Sequence, residues 1–282
     1  MKYYMEFSGG LGDIFTRMYA DGGYRFLDDL TPRDLVTVAV ISHNPFAFEI
    51  FSHHPRAAQI DLRTLEYWLP HDDAIMRVRH RLPTKIWRYP IANRPVRFYP
   101  FPGDDAVLRE LDGRRFVAFA VSAGLPDRDI PTGIVDDLAK RAHARGYRPV
   151  FVGRGYDRHG RREYRPDAAQ GLDLVDRLSV PGVARALQGA AGLVSCHSAL
   201  SMLAWLTRKP QLLLYPQSVR ERHIQRRDQW AFGVDFPECR HGLVDGPRVA
   251  ELAEAFFADL ESRDAAPPKE GSVTLDNLRK YR

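Results

Sequence analysis

Long apolar runs are missing from these 282 residues. No window holds 18 consecutive apolar side chains, so no transmembrane helix is expected. Cysteine is almost missing too. Cys196 and Cys239 make neither a disulfide framework nor a zinc set, and a reducing compartment fits. The opening residues, Met1-Lys2-Tyr3-Tyr4-Met5-Glu6-Phe7, lack the apolar core of a signal peptide. A cytoplasmic location is the expectation. Lysine is scarce, 6 against 35 arginines. That bias follows genome composition first, yet the arginine fork also suits phosphate. Acid is missing locally. Residues 1–108 carry 13 basic and 13 acidic side chains, but Ala74 to Gly103 holds seven basic residues and no acid.

What is present is globular. Hydrophobic residues make up 44% and charged residues 27%, which excludes a disordered tail. The length suits two domains of ordinary size. Tyr3–Phe7 reads as a strand, followed by a glycine-rich turn at Ser8–Asp13 and a helix from Ile14. Leu35–Ile41 is a β-branched run bounded by polar residues, hence a buried strand. Asn44-Pro45 marks a turn, with a short helix over Phe46–Phe51 and another strand-helix unit over 57–70. Five prolines within 83–103 argue for a loop-rich stretch.

Further on, strands are expected at Arg115–Ser122, Arg148–Val152, Gly192–Ser195 and Gln211–Tyr215. Helices are expected at Thr132–Arg145 (closed by Gly146), Val183–Gln188, Ser198–Leu206 and Pro247–Leu260. This alternation implies parallel sheets covered on both faces. The expected class is α/β, two doubly wound domains with a cleft between them, followed by a tail.

Three loops after strands carry the candidate chemistry. Gly9-Gly10-Leu11-Gly12-Asp13 lets the backbone turn tightly and lets a ligand approach it. Its spacing is not the dinucleotide fingerprint, and no acid closes a second strand, so NAD binding is not expected. Asp13 lies where open α/β sheets bind ligands, or it only caps its own helix. Ser122–Pro131 offers small residues and Arg128 as a cradle for a diphosphate, or is an ordinary loop with an exposed arginine. Ser195-Cys196-His197-Ser198-Ala199-Leu200-Ser201 enters a helix and can meet an anion. No nucleophile elbow is present. Cys196 and His197 point to opposite faces of an extended segment, and zinc ligands at workable spacing are lacking. A fourth feature, Arg220–Arg227, reads as a solvated helix face more readily than as a phosphate contact.

In this order and spacing, the three loops resemble the GT-B glycosyltransferases, and among them the ADP-heptose heptosyltransferases of lipopolysaccharide synthesis (glycosyltransferase family 9). Gly12-Asp13 matches the Gly-Asp after that family's first strand, whose Asp is its proposed catalytic base. Arg128-Asp129-Ile130-Pro131 aligns with a Lys-x-x-Pro segment whose Lys binds the donor phosphate. His197–Pro210 aligns without gaps to Asp-Ser/Thr-Gly-x-x-His-Leu-Ala-Ala-x-x-x-x-Pro. The likeness covers residues 3–25 and 115–217. The family's Asp is His197 here, its Gly is Ala199, its His is Met202 and its phosphate Lys is Arg128. The donor pocket is therefore altered, and ADP-heptose is not implied.

The resemblance implies a GT-B fold of two Rossmann-like domains: 1–108 for the acceptor, 109–262 for a nucleotide sugar, and a tail over 263–282. It implies metal-independent, inverting transfer, with no cofactor beyond the nucleotide-diphosphate sugar as co-substrate. Asp13 takes the acceptor proton, beside the loop glycines Gly9, Gly10 and Gly12. The implied donor set is Ser122, Arg128, His197, Ser198, Ser201 and Gln217. Arg77, Arg79, Arg81, Trp87 and Arg88 sit in the acid-free stretch, where arginines interleave with aromatic residues. That composition suits an anionic acceptor: a phosphorylated glycolipid, a saccharide, or DNA with modified bases; the other reading is a solvated loop or an arm packing on a partner subunit. A nucleotide-sugar epimerase and a non-catalytic nucleotide-sugar binder are the other classes the residues allow.

Overall fold

A computed structural model describes residues 2–20, 23–42, 44, 46–65, 98–123, 126–154, 170–225 and 237–264. The basic stretch bearing Arg77, Arg79, Arg81, Trp87 and Arg88 lies outside the described residues, as does the tail from 265.

The N-terminal part starts with strand β1 (Lys2–Ser8), helix α1 (Leu11–Ala20) and helix α2 (Gly23–Asp28), then β2 (Leu35–Ile41), a short helix α3 (Glu49–Ser52) and β3 (Ile60–Leu65). These strands pair in parallel in the order β1-β2-β3. After Phe98 come α4 (Asp104–Leu108), β4 (Phe116–Ala120), α5 (Thr132–Ala144), β5 (Arg148–Phe151) and β6 (Leu172–Asp173). They are followed by α6 (Val180–Gly189), β7 (Gly192–Cys196), α7 (Ala199–Leu206), β8 (Gln211–Tyr215), β9 (Cys239–Leu243) and α8 (Val249–Asp264).

The second sheet is parallel throughout, in the order β6-β5-β4-β7-β8-β9. The chain runs outward from β4 to one edge, returns to the middle at β7, and runs outward to the other edge. That is the doubly wound order expected from the alternation of elements. Every residue of β4, β7 and β8 is buried, because helices cover both faces. Side chains alternate between them. Phe116, Ala118 and Ala120 face a core that continues into the N-terminal part through Phe7, Ile14, Phe15 and Met18. Val117, Phe119 and Val121 face a second core with Phe151, Phe256 and Phe257.

The first core is one body across both sheets. In it α1 packs against α7, with Ile14, Phe15, Met18, Met202 and Trp205 all buried.

Some boundaries depart from the sequence expectation. The helix expected from Val183 starts at Val180, so Pro181 and Gly182 lie in its first turn. Ser179 caps it, its hydroxyl accepting the Gly182 N–H at 3.1 Å, and proline is welcome there because first-turn N–H groups have no helical partner. Gly182 is required by close approach: a Cβ would lie 2.6 Å from the Asp104 carboxyl carbon. The last helix runs on to Asp264, past the expected boundary at 262. Strand β9 has no counterpart in the sequence expectation, and neither has β6.

Candidate active site

In a sheet of this order, ligands bind where the winding reverses, outside the carboxyl ends of the two central strands. Here those strands are β4 and β7. The loop carrying Ser122 and Arg128 follows β4, and His197 and Ser198 follow β7. The topology therefore brings the second and third sequence motifs to one crevice.

The loop after β4 is held by its own backbone and by Asp129. Ile130 N–H donates to the Val121 carbonyl at 2.9 Å. Ala123 N–H donates to Asp129 Oδ1 at 2.9 Å. These bonds hold the loop from which Arg128 reaches His197, 3.4 Å from Nη1 to Nδ1. A guanidinium only donates, so in this contact Nδ1 is the acceptor. His197 is 3% exposed and stacks on His223, with centroids 5.5 Å apart and planes 8° from parallel.

Ser198 is the N-cap of α7 in extended conformation. Its N–H donates to Ser201 Oγ at 3.2 Å, and that hydroxyl donates back to the Ser198 carbonyl at 2.7 Å. Ser201, expected among the donor contacts, is buried and occupied in closing the start of α7. Gln217 opens a short helical segment that continues through Arg220–Ile224. Its amide donates to Glu221 at 2.6 Å. Arg220 and Arg222 are exposed, as a solvated face requires, but His223 of the same segment turns onto His197. Sequence reasoning missed His223 because only the tertiary stack singles it out.

Both cysteines are buried. Cys196 is fully buried, its thiol 3.5 Å from the Ala120 carbonyl. Burial pushes the Cys239 thiol up to about 12, so no thiolate forms there near neutral pH. Tyr215, at the end of β8, stacks on His241 with its hydroxyl 2.8 Å from Nδ1. Burial raises its pKa, against the opposing charge of Arg220.

The glycine loop after β1 is a second built feature. Gly9 has φ +113°, and a Cβ there would lie 2.5 Å from Asp13 Oδ2. Asp13 Oδ2 accepts the Gly10 N–H at 2.8 Å, so the carboxylate caps its own helix. The loop is tied to the neighbouring strand: Ser42 Oγ donates to the Gly9 carbonyl at 2.7 Å, and Gly9 N–H donates to the Ile41 carbonyl at 2.9 Å. Asp13 is only half-buried. Gly12, inside the first turn of α1, is buried.

Asp127-Arg128-Asp129 has the Asp-x-Asp spacing that can hold a divalent cation, but Asp129 is already tied to Ala123. No cluster of three or more metal-ligating side chains occurs among the described residues. No helix among them is long and apolar enough to cross a membrane.

No family model and no curated protein matches the chain. Solved structures do. The ADP-heptose lipopolysaccharide heptosyltransferase II of Escherichia coli superposes with TM-score 0.60 at 13% identity, over 94% of this chain and all of that one. A glycosyltransferase family 9 structure from Veillonella parvula superposes with TM-score 0.55 at 11% identity, over 99% of this chain and 95% of the other. The chain therefore has the α/β fold of the GT-B glycosyltransferases, and its nearly full overlap with both structures includes both sheets.

Proposed function

We propose that this chain is a GT-B glycosyltransferase that moves a sugar from a nucleotide-diphosphate sugar to an anionic acceptor. The observation that carries the reading is the Arg128–His197–His223 cluster at the winding reversal of β4 and β7. Cationic and proton-accepting groups at that crevice suit a leaving diphosphate. The fold shared with a heptosyltransferase supports the class, while His197 and Arg128 depart from that family's donor pocket and leave the sugar open.

In the proposed step, an acceptor hydroxyl attacks the anomeric carbon from the face opposite the diphosphate. The new C–O bond forms as the bond to the diphosphate oxygen breaks, and the configuration inverts. Asp13 takes the hydroxyl proton as general base. Arg128, with Ser122, Ser198 and the first N–H groups of α7, stabilises the charge building on the leaving nucleoside diphosphate. No metal is assigned a role. Residues 1–108 hold the acceptor and 109–262 the donor. The acid-free stretch Ala74–Gly103 is what makes the acceptor anionic in this reading.

The test is to incubate the protein with a panel of nucleotide sugars and three acceptors: a phosphorylated glycolipid, a neutral saccharide and duplex DNA with hydroxymethylated bases. Mass spectrometry then follows sugar transfer and nucleoside diphosphate release. Transfer to the phosphorylated glycolipid is expected. Transfer confined to DNA would move the acceptor to nucleic acid. Sugar interconversion without an acceptor would replace transfer by epimerisation.

A further inference from the structure

Between β2 and α3, residues 42–49 join the Gly9–Asp13 loop to the six-stranded half. At one end Ser42, 8% exposed, donates its hydroxyl proton to the Gly9 carbonyl at 2.7 Å, and the same oxygen accepts the Asn44 N–H at 3.1 Å. Asn44 Oδ1 accepts the Phe46 N–H at 2.9 Å. The Asn44 and Phe46 carbonyls accept the Ala47 and Glu49 N–H groups at 3.1 and 3.0 Å. At the other end the Arg154 guanidinium lies over the Phe46 ring, 4.0 Å from its centroid. Arg154 Nη2 also donates to both oxygens of buried Glu49, at 2.9 and 3.0 Å, and Glu49 Oε2 accepts the Val180 N–H at 2.7 Å. Arg154 follows β5 and Val180 opens α6, so both belong to the six-stranded half. The Gly153 carbonyl accepts the Asp176 N–H at 3.1 Å, which fastens the backbone ahead of Arg154.

We infer that Ser42, Phe46, Glu49 and Arg154 are positioning residues for Asp13: through residues 42–49 they hold the Gly9–Asp13 loop in one place relative to the donor half. The inference rests on the reading of Asp13 as base given above, and adds where that base obtains its alignment.

Two observations separate alignment from mere attachment. The first is how closely Gly9 and Asp13 fit. A Cβ on Gly9 would lie 2.5 Å from Asp13 Oδ2, and the same oxygen accepts the neighbouring Gly10 N–H. A shift of Gly9 therefore moves the carboxylate. A general base works only within hydrogen-bond reach of its proton, about 2.6–3.2 Å, so a small displacement lowers the rate. The second is the kind of contact. Packing of α1 on α7 resists separation of the two halves, but apolar contact is non-directional and tolerates small slides. Hydrogen bonds are directional, and they run from Gly9 to Glu49 and on to Arg154 and Val180. They set the register that the apolar seam leaves loose.

Two measurements on the whole protein test this. Amide hydrogen exchange, followed by NMR, compares wild type with Arg154→Met, and with Phe46→Leu as the milder change should the first variant not fold. Exchange at Gly9 and Gly10, in the other half from Arg154, is expected to quicken by roughly 2–10-fold, the weight of one ordinary hydrogen bond. The Val244 amide, bonded to the Tyr215 carbonyl at the outer edge of the six-stranded sheet, is the control and stays unchanged. Quickening confined to Val180, or spread equally to Val244, would overturn the inference. The second measurement is a double-mutant cycle of Ser42→Ala and Asp13→Asn, read as transfer to the phosphorylated glycolipid. Ser42→Ala alone is expected to lower kcat by roughly 2–10-fold with ADP affinity unchanged. Added to Asp13→Asn it is expected to cost nothing further, because it acts through that carboxylate. Additive losses would overturn the inference and leave the glycosyltransferase reading standing. Undiminished transfer by Asp13→Asn would overturn the base assignment, and the inference with it.

Discussion

Two helices of the six-stranded half, α6 and α7, begin in opposite surroundings. The start of α6 is sealed by carboxylates from the N-terminal part. Glu49 Oε2 accepts the Val180 N–H at 2.7 Å, and both its oxygens accept from Arg154 at 2.9 and 3.0 Å. Asp104 accepts the Ser179 N–H at 2.9 Å and the Ser179 hydroxyl. Both carboxylates are buried. The far end of α6 is met by Lys209, whose ammonium donates to the Ala190 carbonyl at 2.6 Å. Both helix-end partial charges thus meet their complements within the protein. The start of α7 instead lies among Arg128, His197 and His223. The Arg128 guanidinium there does not complement the helix end; it adds to it, and in the proposed reading the two together suit an anion from outside. One helix start ties the N-terminal part to the six-stranded sheet; the other is where the proposed donor would bind.

The largest expected effect concerns a third helix start, that of α1. Asp13→Asn keeps an oxygen able to accept the Gly10 N–H but removes the base. Transfer should fall by about 10²–10⁴-fold with the melting temperature nearly unchanged. Full activity in this variant would reduce Asp13 to a cap.

Next comes Glu49→Ala, which strips Arg154 and the Val180 N–H of a buried partner and should lower stability by about 3 kcal/mol, read by denaturant unfolding. Nucleoside diphosphate affinity should hold. Arg128→Ala should do the reverse. It loses charge-assisted bonds of about 1.5–3 kcal/mol, or roughly 10–100-fold in diphosphate affinity by calorimetry, with little change in stability. If both variants lowered both quantities alike, the contrast between α6 and α7 would collapse.

The smallest effect belongs to Lys209. Burial lowers its pKa from 10.5 to about 8. Between those values the unfolded chain binds the proton and the folded chain does not, so this group makes the protein more stable as pH rises through that window. Lys209→Met lacks the dependence. The melting-temperature difference, variant minus wild type, should therefore fall from pH 8 to pH 10.

Particular residues show why part of this was legible in the sequence and part was not. Strand β2 coincides with the expected Leu35–Ile41, and β8 with Gln211–Tyr215, because short apolar runs bounded by polar residues have one burial solution in a parallel sheet. Gly146 closes α5 as expected, with φ +75°, since the left-handed position is a local property. Strand β9, Cys-Arg-His-Gly-Leu, has a weak strand composition and forms by pairing with β8. Arg128 and His197 stood out as polar residues in loops after strands. Glu49 and Asp104 did not, because their partners lie 131 and 75 residues away along the chain. No local pattern signals a carboxylate whose role is to cap a helix of the other sheet. His223 was hidden for the same reason: its neighbours in sequence are exposed arginines.

A thermal-shift titration of wild-type protein with ADP, UDP and a panel of nucleotide sugars reaches the central claim most directly, because a ligand of the native state raises its melting point. The expected result is a saturable upward shift with at least one nucleoside diphosphate or nucleotide sugar, retained in Glu49→Gln and weakened in Arg128→Ala. A melting point unmoved by every nucleotide and nucleotide sugar, or a shift indifferent to Arg128, would contradict a donor site between β4 and β7.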